Sequence, residues 1–373
     1  IIMSAKNHHR VIMVPDFTEG NPYQKLLSNE LDALGIEVQL ESYINSYFPF
    51  SKLFSKYPEA EILHLHWLSP LLHMLSWTSP NKAKIRCLLI GLDCLWLRLK
   101  GKRLVWTIHN KFAHELFERS VEILLRKVLV RCVSRIIVHS KTASKTLAKT
   151  YGVANFSEKA NIIFHGNYDN VYPVPVKTRV EMLALNGIVR TDVVILCFGL
   201  IRPYKGLDKF ANAFTEFTSN QHLHLVIAGK SEDDEYTEKL KLICNSSAYL
   251  HLNLGFLDEQ SLSDWINAAN IIAIPFSDTL TSGSVLLAMT KGKALLLSEK
   301  CKVFDCVPEQ GAIYFKELNE IETKIQNLTT AQINNMGTIN AEKSKTYCWS
   351  LVAKHTANIY FSNIDFSDKI KLN

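Results

Sequence analysis

The sequence is poor in the features that mark several common protein classes. Fifteen glycines and eleven prolines in 373 residues are too few for a collagen-like or low-complexity chain. No stretch of about 18 uninterrupted apolar residues occurs, so no ordinary membrane-spanning helix is expected. The nearest candidate, 87–99, is broken by Asp93 and Arg98. There is no C-x-x-C pair among the eight cysteines, and the closest spacings, Cys87 with Cys94 and Cys301 with Cys306, match neither a zinc nor a thioredoxin motif. A secretory leader is not expected either, because Lys6, His8, His9 and Arg10 lead straight into the short apolar run 11–14. The expectation is eight reduced, mostly buried thiols in a cytoplasmic protein, with the sequons at Asn155, Asn245 and Asn327 coincidental. Charge of one sign is also scarce: 42 basic against 36 acidic residues leave a formal +6. That suits an anionic ligand or an acidic membrane face and is too little to argue for nucleic acid.

What is present is an ordinary globular composition, 47% apolar, 10% aromatic and 21% charged, which excludes global disorder. The length suggests two domains. Short apolar runs at 11–15, 36–40, 62–66, 104–108, 136–139 and 161–164 alternate with helical patterns at 23–34, 85–99, 116–130 and 143–150. Continuous apolar strands alternating with helices predict a parallel sheet covered on both faces. The pattern pauses over 165–190, where Gly166, Pro173 and Pro175 lie among mixed polar residues and read as a linker running into a short helix. It restarts with strands at 193–198, 223–228, 249–253, 271–274 and 294–297 and helices at 207–217, 236–245, 261–268 and 285–290. Three helical stretches follow without intervening strands, at 318–327, 331–341 and 349–361. The expected architecture is α/β: two doubly wound Rossmann-like domains, 1–170 and 191–345, joined by a linker at 171–190. A terminal segment, 346–373, is expected to pack its helix back on the first domain through Trp349, Val352, Ile359 and Tyr360. Ligands are then expected in an inter-domain cleft at the carboxyl ends of the strands.

Two strand-to-helix turns in the second half carry anion chemistry. Phe198-Gly199-Leu200-Ile201-Arg202-Pro203-Tyr204-Lys205-Gly206-Leu207 places two cations where a strand ends and a helix begins, with glycines that let the backbone approach closely. Fixed cations there suit a diphosphate leaving group, whose oxygens gain charge as its bond breaks; a solvated basic loop with structural glycines is the competing reading. The second turn supplies Thr281, Ser282, Gly283 and Ser284 at the start of an apolar helix. Hydroxyls and amides there can hold phosphate or sugar oxygens, or simply cap the helix. In the first half, Asp16 follows the first strand, and His109, His114 and Glu115 follow the strand at 104–108. Each stands at a strand end where a general base can act, and each has an ordinary use in a turn or first helical turn. His64 and His66 alternate along a strand ending at Trp67 and, lacking a nearby carboxylate, read as packing or cleft lining rather than metal ligands. No D-x-D occurs, and Glu232-Asp233-Asp234-Glu235 reads as the solvated first turn of a helix, so no metal is expected.

The run 198–214, the helix start at 281–292 and Trp106-Thr107-Ile108-His109-Asn110 together resemble a GT-B glycosyltransferase. With Gly255-Phe256-Leu257-Asp258, Ala268-Ala269-Asn270-Ile271 and the aromatic-rich terminal helix, the resemblance spans the chain. Arg202-Pro203-Tyr204-Lys205-Gly206 paired with Thr281-Ser282-Gly283-Ser284 is similar to bacterial mannosyltransferases that build polysaccharide repeat units on lipid carriers. The resemblance implies an enzyme that moves a hexose, with GDP-mannose as one donor, onto a lipid-linked or saccharide acceptor in surface polysaccharide assembly. The nucleotide sugar is then a co-substrate, and no separate cofactor is expected. It further implies that Lys205 grips the donor diphosphate with Arg202 beside it, that 281–284 caps the phosphates, and that His109 faces the donor sugar. Gly229, Lys230, Phe256 and Leu257 would border the base. Many retaining members carry two glutamates eight residues apart here; this chain has Thr279 and Leu287, with Asp278 adjacent. That departure leans towards inversion, with Asp16, His109 or Glu115 as base on the acceptor side. A nucleotide-sugar-binding module without activity and a nucleotide-sugar epimerase share the fold and stay open as alternatives.

One further segment suggests a partner. Within 82–103 a strongly apolar run is flanked by Lys82, Lys84, Arg86, Arg98, Lys100, Lys102 and Arg103. The combination suits either a helix lying in the interface of the inner membrane face or a helix buried in the first domain's core.

Overall fold

A computed structural model describes residues 9–76, 78–113, 117–217, 222–275, 280, 282–301 and 305–362. The chain forms two compact units, one made of residues up to Gly166 with the helix that begins at Trp349, the other Asn167–Cys348.

In the first unit, strands β1 (His9–Val14), β2 (Ile36–Leu40), β3 (Ile62–Leu65), β4 (Arg103–Thr107), β5 (Arg135–Val138) and β6 (Ala160–Ile162) form one sheet. All pairs are parallel, in the order β2-β1-β3-β4-β5-β6. Helices α1 (Tyr23–Ala33), α2 (Pro49–Lys56), α3 (Ser69–Ser76), α4 (Pro80–Leu99), α5 (Arg119–Cys132), α6 (Lys141–Tyr151) and α7 (Phe156–Lys159) connect them. Every residue of β3 and the last four of β1 are buried, as a sheet with helices on both faces requires. The periodicity did not predict α2 and α3, which are only eight residues each. The first turn of α2 is held from outside: the Asp93 carboxylate, on α4, accepts the amides of Phe50 (2.8 Å) and Ser51 (3.2 Å) and bonds the Ser51 hydroxyl. The charge that interrupts the apolar run of α4 is therefore the N-terminal cap of another helix. Among the described residues no helix is long and apolar enough to cross a membrane.

In the second unit, α8 (Arg179–Ala184) precedes β7 (Val193–Phe198), α9 (Leu207–Thr215), β8 (Leu223–Gly229), α10 (Asp234–Cys244), β9 (Leu250–Leu254) and α11 (Glu259–Ala268). Then come β10 (Ile271–Ile274), α12 (Gly283–Thr290), β11 (Ala294–Ser298), β12 (Ala312–Phe315), α13 (Ile321–Gln326) and α14 (Thr330–Lys345). The parallel sheet runs β12-β11-β10-β7-β8-β9. Strand β12 is an addition to the sequence expectation, because four residues are too few for periodicity to separate strand from turn. Its entry is fixed by buried Asn340 on α14, whose side-chain amide donates to Lys293 O and Gly311 O, both at 2.8 Å. Residues 171–190, expected as a linker, pack on this unit: the Val176 and Lys177 amides donate to the Asp264 carboxylate of α11 at 2.8 and 3.2 Å.

The last described helix, α15 (Trp349–Phe361), belongs to the first unit. It packs on α1, and Trp349, Val352, Tyr360 and Phe361 enter the core with Leu27 and Leu31, while Ile359 stays partly buried beside it. Trp349 lies over Gly166, where a Cβ would stand 2.3 Å from its ring. Gly166→Ala is accordingly expected to lower the unfolding free energy by about 1–3 kcal/mol through overpacking, read as a lower urea midpoint. Gly20→Ala, where an added Cβ meets nothing within 4 Å, is the control and is expected to be near neutral.

Candidate functional site

Strand order in the second unit reverses between β7 and β10, and open α/β sheets bind ligands outside the carboxyl ends of the strands at such a point. The β7–β8 pairing continues past the strands through Ile201 and Ser231, with the Ile201 amide donating to Lys230 O at 2.8 Å. A Cβ on Gly229 would lie 1.9 Å from Gly199 O, so glycine is what permits the two turns to approach. Arg202 and Lys230 are thereby carried side by side and share one carboxylate, Glu232, at 3.5 and 3.3 Å. Lys205 ends a single turn of 3-10 helix, Pro203–Lys205, which Gly206 (φ 63°) redirects into α9. Burial pulls its ammonium down to about 8, Cys197 opposing and Arg202 adding to the fall. The turn after β9 reaches the same edge, since the Gly255 amide donates to Gly229 O at 3.0 Å; there Phe256 is 82% exposed and Leu257 half-buried.

Helix α12 follows β10, the neighbour of β7. Its N-cap, Ser282, makes no capping bond with its side chain, and Ser284 is half-buried. Gly283 is pressed by Tyr168, whose hydroxyl would stand 2.5 Å from a Cβ there. Leu287 is buried in the helix. Thr281, Asp278 and Thr279 lie outside the described residues, as do His114 and Glu115.

In the first unit the order reverses between β1 and β3. Asp16, just beyond β1, is exposed and accepts from the Thr18 amide (3.0 Å) and hydroxyl (2.7 Å). With Phe17, Glu19, Gly20, Asn21 and Ser42 it lines an open depression of about 530 Å³. His109, beyond β4, is buried and stacks on Trp67, with ring centroids 4.2 Å apart and planes at 12°. The segment after it is clamped by a buried ion pair on α5. Arg126 donates to Glu122 (2.8 Å) and to Asn110 O (3.1 Å), and Glu122 accepts the Ala113 amide (2.7 Å).

Sequence reasoning missed what surrounds His109. His66, His139 and His165 stand just past β3, β5 and β6, and Tyr23, at the start of α1, sets its ring edge-on to all four imidazoles. A histidine shortly after each of four successive strands was the available signal. His139 Nδ1 lies 2.8 Å from Ile163 O, and a carbonyl only accepts, so that nitrogen carries the proton. In neutral rings the rest follows. His109 Nδ1–H donates to His139 Nε2 (3.4 Å), and His66 Nδ1–H donates to His109 Nε2 (3.0 Å). His66 Nε2 is left as a buried lone pair with no protein hydrogen-bond partner. His64, one step deeper, is held between Tyr360 Oη (2.6 Å) and Thr107 Oγ1 (2.7 Å). Loss of solvent keeps the rings neutral, pulling His64 and His139 down to about 3, His165 to about 4, and His66 and His109 well below their usual range. Among the described residues no group of three or more His, Cys, Asp or Glu side chains is placed to hold a metal ion.

Residues 192–330, most of the second unit, match the family model described as glycosyl transferases group 1. Over 280 residues, 74% of this chain and 69% of the relative, the sequence is 27% identical to a GDP-mannose:glycolipid 4-beta-D-mannosyltransferase of Xanthomonas campestris pv. campestris. The fold is similar to that of sucrose-phosphate synthase from Thermosynechococcus elongatus, with a TM-score of 0.71 at 14% identity over 95% of this chain and 98% of that one. The chain is a glycosyltransferase of the GT-B fold. Its fold is also similar to that of the Anabaena protein HepE in complex with UDP-glucose, with a TM-score of 0.69 at 13% identity over 95% and 99% of the two chains. The family match in this glycosyltransferase falls on the unit that carries Arg202, Lys205 and α12.

The imidazole cluster gives the enzyme an acid-sensitive first unit. An unfolded imidazole takes up a proton below about 6.5, whereas the folded His64 and His139 resist it down to about 3. Between those values the unfolded chain binds more protons, so stability falls as pH falls, by up to about 1.4 kcal/mol per pH unit for each such ring. Thermal melts between about pH 7.5 and 4.5 are expected to show this slope, and His139→Gln to flatten it; a midpoint independent of pH would contradict neutral burial.

Proposed function

We propose that the enzyme transfers mannose from GDP-mannose to a lipid-linked saccharide in surface polysaccharide assembly, acting in the cytoplasm at the inner membrane face. The observation that carries the donor half is the cationic carboxyl edge of β7 and β8, where glycine-permitted turns hold Arg202 and Lys230 around one carboxylate, with buried Lys205 near enough to feel the Arg202 charge. Support for the sugar and the acceptor class comes from the 27% identical mannosyltransferase, whose name gives GDP-mannose as donor and a glycolipid as acceptor. The HepE complex with UDP-glucose makes that nucleotide sugar the first competitor to try.

In this reading the donor diphosphate exchanges with Glu232 for Arg202 and Lys230, while Lys205 and the amides of Ser282, Gly283 and Ser284 meet the remaining oxygens. Phe256, exposed beyond β9, offers a face for the base, with Leu257, Gly229 and Lys230 at its border. The acceptor hydroxyl attacks the anomeric carbon as the bond to the diphosphate breaks, in one inverting displacement. Asp16 takes the hydroxyl proton; its carboxylate is exposed and anchored to Thr18. Glu115 is the alternative base. His109 serves the site by position, since both its ring nitrogens are already bonded to neighbouring imidazoles. Charge on the departing GDP is neutralised by the cations and amides without a metal ion.

The test is transfer from GDP-mannose and from UDP-glucose to a glycolipid acceptor, with product anomers identified. Lys205→Ala is expected to lower kcat/KM by about 10²–10³-fold, and Arg202→Ala to raise the donor KM. Asp16→Asn is expected to cut kcat by about 10²–10⁴-fold with the donor KM nearly unchanged. The native kcat/KM for donor should decline as Lys205 loses its proton above about 8, and Lys205→Arg should remove that limb. Full turnover in Lys205→Ala overturns the diphosphate assignment.

A further inference from the structure

Helix α4 has two apolar faces. Ala83, Cys87, Ile90, Cys94 and Leu97 are buried, and α5 comes so close that a Cβ on Gly91 would lie 2.9 Å from Val128 Cγ1. On the other side Ile85, Leu88, Leu92, Leu95, Trp96 and Leu99 are 47–82% exposed. At 3.6 residues per turn these six fall within an arc of about 100°, opposite the buried face. The sequence offered a core helix or an interfacial helix as alternatives; the helix has the surface of both. A contiguous apolar stripe of this kind on a folded surface marks a place of contact.

The borders of the stripe identify the contact. Lys82 and Lys100 lie along one side of the arc and Lys84 and Arg98 along the other, by the same helical geometry. The only acidic residue of α4 is Asp93, buried and occupied by the amides of α2. Aromatic residues sit with cations at both ends. The Arg86 guanidinium is 5.5 Å from the exposed Tyr47 ring, and Lys100 Nζ is 4.7 Å from the Trp96 ring. Phe48, the next residue after Tyr47, is exposed as well. A second copy of this helix would set like charges along both borders. An anionic lipid surface satisfies both features, taking the apolar arc among its upper acyl segments and the cations on its phosphates.

We propose that α4, with Tyr47 and Phe48, is a membrane-docking surface that lies flat on an anionic bilayer. The proposal deepens one part of the reading above, the inner membrane face, by naming the surface that meets it; it does not rest on the donor or acceptor assignment, because docking needs neither.

The test is sedimentation of the full chain with vesicles of phosphatidylcholine alone and of phosphatidylcholine with phosphatidylglycerol. Binding is expected on the anionic vesicles and is expected to weaken with salt. L88E/L92E, on the exposed face, should lower the partition coefficient at least about tenfold while keeping the native melting temperature. Lys82→Ala with Lys100→Ala should lower it on anionic vesicles only. As a readout independent of those variants, vesicles should shift the tryptophan emission to the blue, and Trp96→Phe should remove the shift. A wild-type chain that stays in the supernatant with anionic vesicles overturns the proposal. So does L88E/L92E sedimenting like wild type. A concentration-dependent dimer abolished by the same pair would assign the stripe to a second copy and overturn it as well.

Discussion

A parallel strand buried on both faces can present polar chemistry only where it ends. In both units the middle strands are wholly buried and, His64 and His224 apart, apolar, so most charged and titratable groups collect at the carboxyl edges, where turns lead into helix N-termini. The second unit uses this edge for fixed positive charge. Its turns after β7, β8 and β9 are tied by backbone hydrogen bonds, Ile201 to Lys230 and Gly255 to Gly229. The cations therefore ride on a braced frame. Glu232 pairs with both Arg202 and Lys230, so under the proposed reading the diphosphate exchanges one carboxylate for its own oxygens.

The first unit uses the same edge differently. Its imidazoles are neutral and their hydrogen bonds run one way, from His66 through His109 and His139 to the Ile163 carbonyl. Direction is imposed at the carbonyl end, because each ring has only one proton to give. His109, alone in the sequence motif, looks like a free catalytic ring. In the fold its reactivity belongs to a chain whose open end is His66 Nε2, and any hydroxyl that engages His109 has to replace an existing partner.

Regular structure was largely legible in the sequence. The strands at 36–40, 193–198 and 271–274 and the helix at 349–361 have the observed bounds, because long or sharply bounded apolar patterns dominate local choice. The short elements α2, α3 and β12 were not; two of them are held by a partner distant in sequence, Asp93 for α2 and Asn340 for β12. The same divide runs through the site. Arg202 and Lys205 are local features of one turn and could be read directly. The histidine cluster depends on four strands ending side by side and on Tyr23 arriving from α1, of which the sequence records only a histidine after each strand. Asp93 illustrates the limit, since it reads as a flaw in an apolar helix and works as a cap.

The return of α15 to the first unit also orders events during synthesis. The first 166 residues leave the ribosome without Trp349, Tyr360 and Phe361, which complete their core. All of Asn167–Cys348 must be translated in between, which at about 5–20 residues per second takes on the order of ten seconds or more. Through that interval α1 keeps an uncovered apolar flank and His64 lacks the Tyr360 hydroxyl. The unit made first is thus finished last, and the nascent chain passes through a stage in which only its second half can close its own core.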